Sequence, residues 1–521
     1  MTLKNKCLFL TAKEIFFKKS PLIKAAAVCF WLYLILAKSV SAEEDLSWAA
    51  NKYGIHVNSS FEDLPKAAQM LNSNGGDWGW LTVVIRQDEL NQQQWQDFFN
   101  LCRRLHLIPI VRLATEPENG YWKKPNQETT KKAAEFLNSL NWPIKPRFVV
   151  VYNEPNRGDE WGGASDPKEY FELLEFTSDY FHNLSQDFFI ISAGLDLAAP
   201  NRPPAFISAE AFYQQGFLYK PEALAKINGL GSHSYPNHGF IGSAEDTGKT
   251  SIRGYQWELS YLNSLGFNQN LPVFITETGW PHQEGGDKGN YYPAEKTAQL
   301  IQKAFSYWNQ DPRIVAVTPF ILNYPHGKFA HFSWLNQDQK PYPQLELVQQ
   351  TPKQPQSPPQ KEKIVIKRIE VSRPFSQKAK PLSQTKPQTD SAVPEPSQKF
   401  SNSGVKINGK LTLINQGQSI WGDKSPFCLG PEAKQPGVLS LSTICLPEKV
   451  LVEPNQEACF DFEMTLDQQS LPVSFGWEKT GKVKIEKLPN FLWGRTIYPY
   501  QRSLLGRVIG FLKHLRLKSD I

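Results

Sequence analysis

Arg147-Phe-Val-Val-Val-Tyr-Asn-Glu-Pro-Asn156 is the stretch on which the reading of the fold turns. Its run of β-branched and aromatic residues is that of a strand buried on both faces. Pro155 has no N–H to give to a sheet ladder and stops it. Glu154 then sits at the C-terminal end of a buried strand, with a core on one side and a cleft on the other. Such a position suits acid/base work.

Outward from this strand the pattern repeats. Tyr53–Val57, Trp80–Arg86 and Leu107–Leu113 are expected strands on its N-terminal side. Phe188–Gly194, Ile227–Tyr235, Val273–Glu277 and Ile314–Leu322 follow it. Amphipathic helices separate them, as in Trp95, Phe98, Phe99, Cys102 and Leu105 at helical spacing. Eight buried strands alternating with helices over roughly 280 residues match a (β/α)8 barrel in number, order and size. An open doubly wound sheet is the rival, but no Gly-rich phosphate turn follows the first strand.

Chemistry in such a barrel gathers at the C-terminal strand ends. Polar residues at those ends are His56, Arg86, Arg112, Asn153, Glu154, Asp196, His233, Tyr235, Glu277 and Asn323. Any one of them alone is more often structural than catalytic; their concentration on one rim is the signal. Thr276-Glu-Thr-Gly-Trp-Pro281 repeats the logic of the first stretch: a buried strand, a terminal acid, a proline stop. Glu154 and Glu277 end the expected fourth and seventh strands, which face each other across the barrel mouth. Two such carboxyls are what glycoside cleavage requires, one as proton donor and one as nucleophile. Their protonation states must differ, so their surroundings must differ.

Val150-Val-Tyr-Asn-Glu-Pro-Asn156 and Phe274-Ile-Thr-Glu-Thr-Gly-Trp-Pro281 resemble the two signatures of clan A retaining glycoside hydrolases, in the cellulase-like and β-xylosidase-like branch. The resemblance covers roughly residues 45–350 and implies a (β/α)8 barrel. It implies that Glu154 is the acid/base, Glu277 the nucleophile, and Asn153 the residue that reads the sugar 2-hydroxyl. It further implies that Tyr235 hydrogen-bonds the nucleophile, with His233 beside the pair. Arg86 matches an Arg that ends strand two in one branch. Trp334, in Phe332-Ser-Trp-Leu-Asn336, matches a Trp that floors the sugar site. The sequence departs from some cellulase-like families at the end of strand three, where Arg112 and Thr115 stand instead of a His.

The chain has 15 Trp among its 521 residues, and aromatics make up 12%. Trp78, Trp80, Tyr121, Trp122, Trp161, Trp280, Tyr291 and Tyr292 fall in expected loops on or near the rim, and some are expected to be sugar platforms. An aromatic-rich core is the plainer account of the same surplus. Trp280 is counted with Asn153, Arg86, His233, Tyr235 and Trp334 among the substrate-binding candidates. No metal or cofactor is called for by this chemistry, and no Cys/His spacing suggests zinc.

The formal net charge of +6 misleads. Lys4, Lys6, Lys13, Lys18, Lys19, Lys24 and Lys38 against Glu14 make residues 1–42 strongly basic, and the region after 350 is basic too. The barrel region is therefore acidic, which excludes a nucleic-acid binder, since phosphate affinity needs a clustered positive face. Residues 1–42 combine a basic start, an apolar run from Ala25 to Ala37 and Val40-Ser41-Ala42. That is the pattern of a secretory signal peptide, with an uncleaved anchor as the alternative. Either implies a secreted or cell-envelope protein.

Residues 43–350 are assigned to the barrel and 351–403, dense in Pro, Gln, Lys and Ser, to a flexible linker. Ile364–Val371 interrupts that linker as a local extended segment or a strand that docks elsewhere. Residues 404–486 alternate with period two and are expected to form a small antiparallel β-sandwich. Asn415, Gly417, Trp421, Pro454, Trp477 and Gly481 give this segment a faint resemblance to Ig-like domains appended to bacterial surface enzymes. A spacer or interaction role for it ranks ahead of carbohydrate binding. Cys428, Cys445 and Cys459 allow one disulfide in an oxidising compartment, with the pairing open. Residues 487–521 form a basic amphipathic tail suited to a membrane surface or an anionic wall polymer, or to packing on the protein itself.

The leading function is an exported retaining β-glycosidase acting on a polysaccharide or oligosaccharide. The rivals are a non-catalytic carbohydrate-binding or adhesion protein on a barrel scaffold, and a transglycosylase using the same site.

Overall fold

The computed structural model describes residues 45–285, 290–371, 404–423, 425–431, 438–466, 477–479 and 485–487. The leader, the stretch 372–403 and the amphipathic tail lie outside the described residues. Among the described residues no helix is long and apolar enough to cross a membrane.

Eight parallel strands form the centre of the larger body. They are β1 (Gly54–Val57), β2 (Gly79–Arg86), β3 (Leu107–Ala114), β4 (Arg147–Val150), β5 (Phe188–Ile191), β6 (Leu230–His233), β7 (Val273–Glu277) and β8 (Ile314–Val317). Five of them run β1-β2-β3-β4-β5 in one ladder and three run β8-β7-β6 in another. The parallel bridges Tyr53–Val317 and Ile191–Gly229 join the two ladders at both seams and close the barrel. β4 and β5 are shorter than their apolar runs. Beyond Val150 and Ile191 the chain leaves the ladder to make the loops of the mouth.

Inside the barrel, Trp80, Phe148, Phe189 and Phe274 pack ring against ring, with Phe148 5.2 Å from Trp80, 5.0 Å from Phe189 and 5.5 Å from Phe274. A packed interior of this kind makes the barrel a solid platform rather than a pore. Truncating Phe148 to Ala would cost about 3–5 kcal/mol in lost transfer energy and cavity. The outer core lies between strands and helices, where Ile55, Val83, Val111, Val149 and Ile190 alternate with the inward set.

Helix starts follow local rules. Asn91 caps α2 (Gln92–Arg104; α1 is Asp63–Leu71) by accepting from Gln94 N, and Asn126 closes a capping box on α3 (Gln127–Ser139) with Thr129. Asp166 caps α4 (Pro167–Leu184), with Pro167 at the first helical position.

Two of the expected rim aromatics are at the wrong end. Trp80 begins β2, so it lies at the N-terminal face and donates its indole N–H to Asn51 O. Trp78, just before it, stacks on His106 at 4.6 Å. Trp80 thus fills the lower end of the barrel interior and Trp78 precedes it on the N-terminal side, both away from the mouth.

The segment after residue 350 corrects the expectation of a flexible linker. Lys353 is buried, and its ammonium donates to Val348 O at 2.6 Å and Thr351 O at 2.9 Å. Gln356 is buried between Trp78 O and Asn51 N. Gln360 donates to Pro143 O at 2.8 Å, and Pro359 O accepts from Lys145 N at 2.8 Å. Composition sees Pro, Gln and Lys. It does not see that these side chains satisfy backbone groups left open at the bottom of the barrel.

Ile364–Val371, β9, is a strand of the second body rather than part of a linker. It pairs antiparallel with β10 (Val405–Asn415). The remaining strands are β11 (Cys428–Pro431), β12 (Val438–Leu441), β13 (Ile444–Cys445), β14 (Glu457–Leu466), β15 (Trp477–Lys479) and β16 (Ile485–Lys487). They make a five-stranded sheet, β12-β14-β10-β9-β16, and a three-stranded sheet, β13-β11-β15. Both sheets contribute to one core: Ile366, Leu411, Phe460 and Phe462 from the first, Leu429 and Ile444 from the second. The parallel pairing of β9 with β16 makes the larger sheet mixed. Asn415 is buried, donating to Ser419 O and Val452 O, which explains its turn in structural terms.

Cys428 and Cys445 are paired opposite each other on β11 and β13 and form a disulfide; Cys459 is free and exposed, and Cys102 is free and buried. The second body is tied to the barrel by Arg104 and Glu453, bidentate at 2.7 and 2.8 Å, and by Gln418 donating to Ile144 O at 2.8 Å.

Candidate active site

Beyond Val150 the chain kinks, with φ of +69° at Tyr152 and +32° at Glu154. Non-glycine residues rarely adopt these angles, and such strain collects at functional sites. The kink is over-determined by its surroundings. Val151 N donates to Ile191 O, Glu154 N to Gly194 O, and the Tyr152 hydroxyl pairs with Thr130 Oγ1 at 2.8 Å. Asn156 is fully buried and binds Asp196 O, Asp196 N and Ile207 O, fixing the loop after β4 to the loop after β5.

The two acids meet at the mouth. His233 Nδ1 is 2.9 Å from Glu154 Oε1 and 3.9 Å from Glu277 Oε2. One ligand atom each of Glu154, His233 and Glu277 lie within 4.8 Å of one another. The Tyr235 hydroxyl donates to Glu277 Oε2 at 3.2 Å. Arg112 Nη1 donates to Glu277 Oε1 at 3.0 Å and also to Asn153 Oδ1. His56 Nε2 stands 3.9 Å from Glu277 Oε1. On the other side, Arg157 Nε is 3.6 Å from Glu154 Oε2, while Arg157 itself is paired with Asp159 at 2.8 Å.

Glu277 is buried, and burial by itself would raise its pKa. His233, Arg112, His56 and the Tyr235 hydroxyl outweigh burial and hold the carboxyl below its usual value, so it is ionised. Burial pushes His56 down to about 3, leaving a neutral imidazole. His233 is pulled down by burial but pulled up more strongly by Glu277 and by its bond to Glu154, so it ends above the ordinary histidine value. Burial and the two carboxylates drive the Tyr235 hydroxyl well up, so it remains a donor. The trio Glu154, His233 and Glu277 has the spacing to hold a small cation. Arg112 already supplies a positive charge at Glu277, and His233 hydrogen-bonds Glu154 with Glu277 3.9 Å from the same ring nitrogen, an arrangement suited to moving a proton.

Gly194 is required by this geometry. A Cβ there would lie 2.2 Å from His233 Cδ2, so only glycine leaves room for the ring.

Of the residues singled out in the sequence, Glu154, Glu277, Asn153, His233 and Tyr235 are brought together. Arg86 is not. It is half-buried and engaged with Asp88 and, at 3.2 Å, with Glu89, beside its own strand end. The arginine that reaches the acid comes from β3, as Arg112. Trp280 is buried and donates its indole N–H to Gly242 O at 2.8 Å, pinning the loop after β7 to the loop after β6. Trp334 is buried in the outer core and presents no open face; its backbone N–H binds Ile321 O and Leu322 O. Phe320 is half-buried and stands edge-on to His56 at 5.1 Å and to Phe332 at 6.0 Å. Of the other expected platforms, Trp161 is fully buried, Tyr121 is exposed, Tyr291 stacks on His331, and the Tyr292 hydroxyl binds Ile241 O.

Sequence reasoning put Arg112 and His56 on the rim without a role and passed over Phe320. The absence of a histidine at the end of strand three was the available signal for Arg112.

No protein-family model matches the chain, and no curated protein sequence matches it. Among solved structures it is similar to a family 39 β-xylosidase from Caulobacter crescentus, at 8% identity over 80% of this chain and 96% of that one, with a TM-score of 0.42. It is also similar to a family 51 α-L-arabinofuranosidase from Bifidobacterium longum, at 9% identity over 80% of this chain and 96% of that one, TM-score 0.41. A β-1,3-glucanosyltransferase from Rhizomucor miehei matches at 15% identity over 56% of this chain and 96% of that one, TM-score 0.38. At these values the fold and the site rest on the strands and side chains described above.

Proposed function

We propose that this protein is an exported glycosidase that cleaves O-glycosidic bonds of a polysaccharide or oligosaccharide with retention of configuration. The observation that carries the reading is the pair Glu154 and Glu277, with oxygens within 4.8 Å of one another across the barrel mouth and unlike surroundings. A separation of about 5–5.5 Å is that of retaining enzymes; inverting enzymes need room for a water between the acids.

Glu277, held ionised by Arg112 and His233, attacks the anomeric carbon. The bond to the leaving oxygen breaks as that oxygen takes the proton of Glu154, leaving a glycosyl ester on Glu277. Glu154, now a carboxylate, then removes a proton from a water whose oxygen bonds to the anomeric carbon, and Glu277 is released. An alcohol in place of that water gives transglycosylation by the same two steps. Export rests on the basic and apolar leader of residues 1–42, and the Cys428–Cys445 disulfide agrees with an oxidising compartment.

The test uses activated aryl β-glycosides over a panel of sugars. Glu277→Ala is expected to abolish turnover, and azide to restore cleavage as the inverted glycosyl azide. Unchanged hydrolysis in that variant would refute the assignment. A wild-type protein that binds glycans but turns over none of the panel would point to a binding protein instead.

A further inference from the structure

A permanent cation stands beside the proton donor. Arg157 follows Glu154 by three residues, and its backbone N donates to Glu154 O at 2.9 Å, closing the turn that carries the acid. The turn is anchored in the loop after β5. Arg157 pairs with Phe206 in an isolated antiparallel bridge, and Ile207 N donates to Asn156 O at 2.9 Å. The side chain is held as firmly. Arg157 Nε donates to Asp159 Oδ1 at 3.0 Å and Nη2 to Asp159 Oδ2 at 2.8 Å, while Nη1 reaches Asp196 Oδ2 at 3.4 Å. A carboxylate bound in this forked way fixes the plane and direction of a guanidinium.

The two oxygens of Glu154 are thereby distinguished. Oε1 is within hydrogen-bond distance of His233 Nδ1, at 2.9 Å. Oε2 is 3.6 Å from Arg157 Nε, beyond a hydrogen bond but within ion-pair range, and it has no hydrogen bond among the described residues. Oε2 is therefore the oxygen free to carry the proton for the leaving group. The other titratable groups facing Glu154 are His233, Tyr235 and Glu277, at or just past the ends of β6 and β7, and Asp196 and Glu160, in the loops after β5 and β4. Arg157 is set among acids, and its charge offsets those of Asp159 and Asp196.

As the bond to the leaving oxygen breaks, the freed electron pair takes the proton from Oε2, and a negative charge appears on Glu154. A cation already in place lowers the energy of that charge without rearrangement and does little for the neutral acid. It therefore acts on the transition state more than on the ground state. We propose that Arg157 is a positioning residue for the proton donor: locked by Asp159 and Asp196, its guanidinium stands at Glu154 Oε2 and stabilises the charge left there when the proton departs. The proton transfer in this statement rests on the glycosidase reading; the charge of Arg157 at Glu154 does not.

Wild type, Arg157→Met and Asp159→Asn are compared on a phenyl and a dinitrophenyl glycoside of a sugar that the wild type turns over. Phenol leaves poorly without a proton, and dinitrophenol leaves well without one. Arg157→Met is expected to lose about 10–100-fold in kcat/KM on the phenyl glycoside, a part of what a general acid supplies, and to stay within about threefold on the dinitrophenyl glycoside. The basic limb of its phenyl profile is expected to move to higher pH, because the carboxylate form of Glu154 has lost its cation. Asp159→Asn removes a negative charge instead, and its basic limb is expected to move to lower pH. It is a mild change at a half-exposed side chain, so the test stands even if Arg157→Met fails to fold. Equal losses on both substrates, or limbs that do not move in opposite directions, would assign Arg157 to holding the loop and overturn the proposal.

The second readout needs no turnover. In protein isotope-labelled at the glutamate carboxyl carbons, the Glu154 signal is identified by its loss in Glu154→Gln and titrated by NMR. Its midpoint is expected to rise in Arg157→Met and fall in Asp159→Asn. A midpoint unmoved in both overturns the proposal whether or not any glycoside is cleaved. Midpoints that move as expected in a protein that turns over no glycoside would sink the glycosidase reading and leave the charge of Arg157 at Glu154 standing.

Discussion

Arg112 Nη1 binds Glu277 Oε1 at 3.0 Å and, with the same nitrogen, Asn153 Oδ1. One side chain from β3 therefore couples the ends of β7 and β4. Its positive charge helps keep a buried carboxylate ionised. Arg112→Met is expected to lower kcat/KM by about 10²–10³, the scale of losing one preorganised donor at a reacting charge. With its cation gone, the ionised form of Glu277 is disfavoured, so the acidic limb of the pH–rate profile is expected to move to higher pH. A profile that falls in height without moving would assign Arg112 a structural role only.

Arg86→Ala provides the contrast. Arg86 is occupied by Asp88 and Glu89 at the edge of its own strand. Surface pairs of this kind contribute about 0–1 kcal/mol. Its removal is expected to leave kcat/KM within about threefold and Tm within a few degrees. A loss approaching that of Arg112→Met would restore Arg86 to the site.

Gly194→Ala tests how tightly His233 is seated. The new methyl would lie 2.2 Å from the imidazole and the ring must move. Overpacking costs about 1–3 kcal/mol in stability. The larger expected effect is on activity, because His233 contacts both acids. Thermal melts and kinetics on one preparation separate the two. A variant that melts lower but retains full turnover would mean that His233 is dispensable.

Glu258 provides a pH dependence of stability. It is fully buried beneath β6, accepts from Tyr213 and Ser232, and burial pushes its carboxyl from 4.5 up to about 7. The folded state thus binds this proton more tightly than the unfolded state. Stability contributed by Glu258 is full at low pH and is lost as pH rises from about 4.5 to 7, with a slope of up to ~1.4 kcal/mol per pH unit. Glu258→Gln is expected to flatten that part of the curve, measured as denaturation midpoint against pH. An identical slope in variant and wild type would refute it.

Cys428 and Cys445 are separated by 17 residues, a loop whose closure is worth about 3 kcal/mol in the chain-entropy model. Replacing both by Ser is expected to lower the melting of the second body and leave the barrel's turnover unchanged. A joint fall in melting and turnover would show that the barrel depends on the contacts through Arg104, Glu453 and Gln418.

The barrel was legible because its signal is local. Each buried strand is a run of Val, Ile and Phe between helical patterns, and period alone separates the two. Glu154 and Glu277 were legible for the same reason: an acid directly after a buried strand and before a proline stop is a feature of the chain itself. His233 and Tyr235 share the logic of a strand end.

What the sequence determined, then, is the set of strand ends and the acids they carry. What only the tertiary structure decided is which side chains from other strands reach those acids. Arg86 ends β2, while Arg112 lies two residues before the end of β3, opposite Val84, and the local patterns do not rank them. Asp88 and Glu89 capture the first, while Glu277, across the barrel, captures the second. Gln356 acquires its place from backbone groups about 300 residues away in the chain. Such partners are set by the closure of the barrel and the packing of its loops, contacts between residues far apart in sequence that no local pattern encodes.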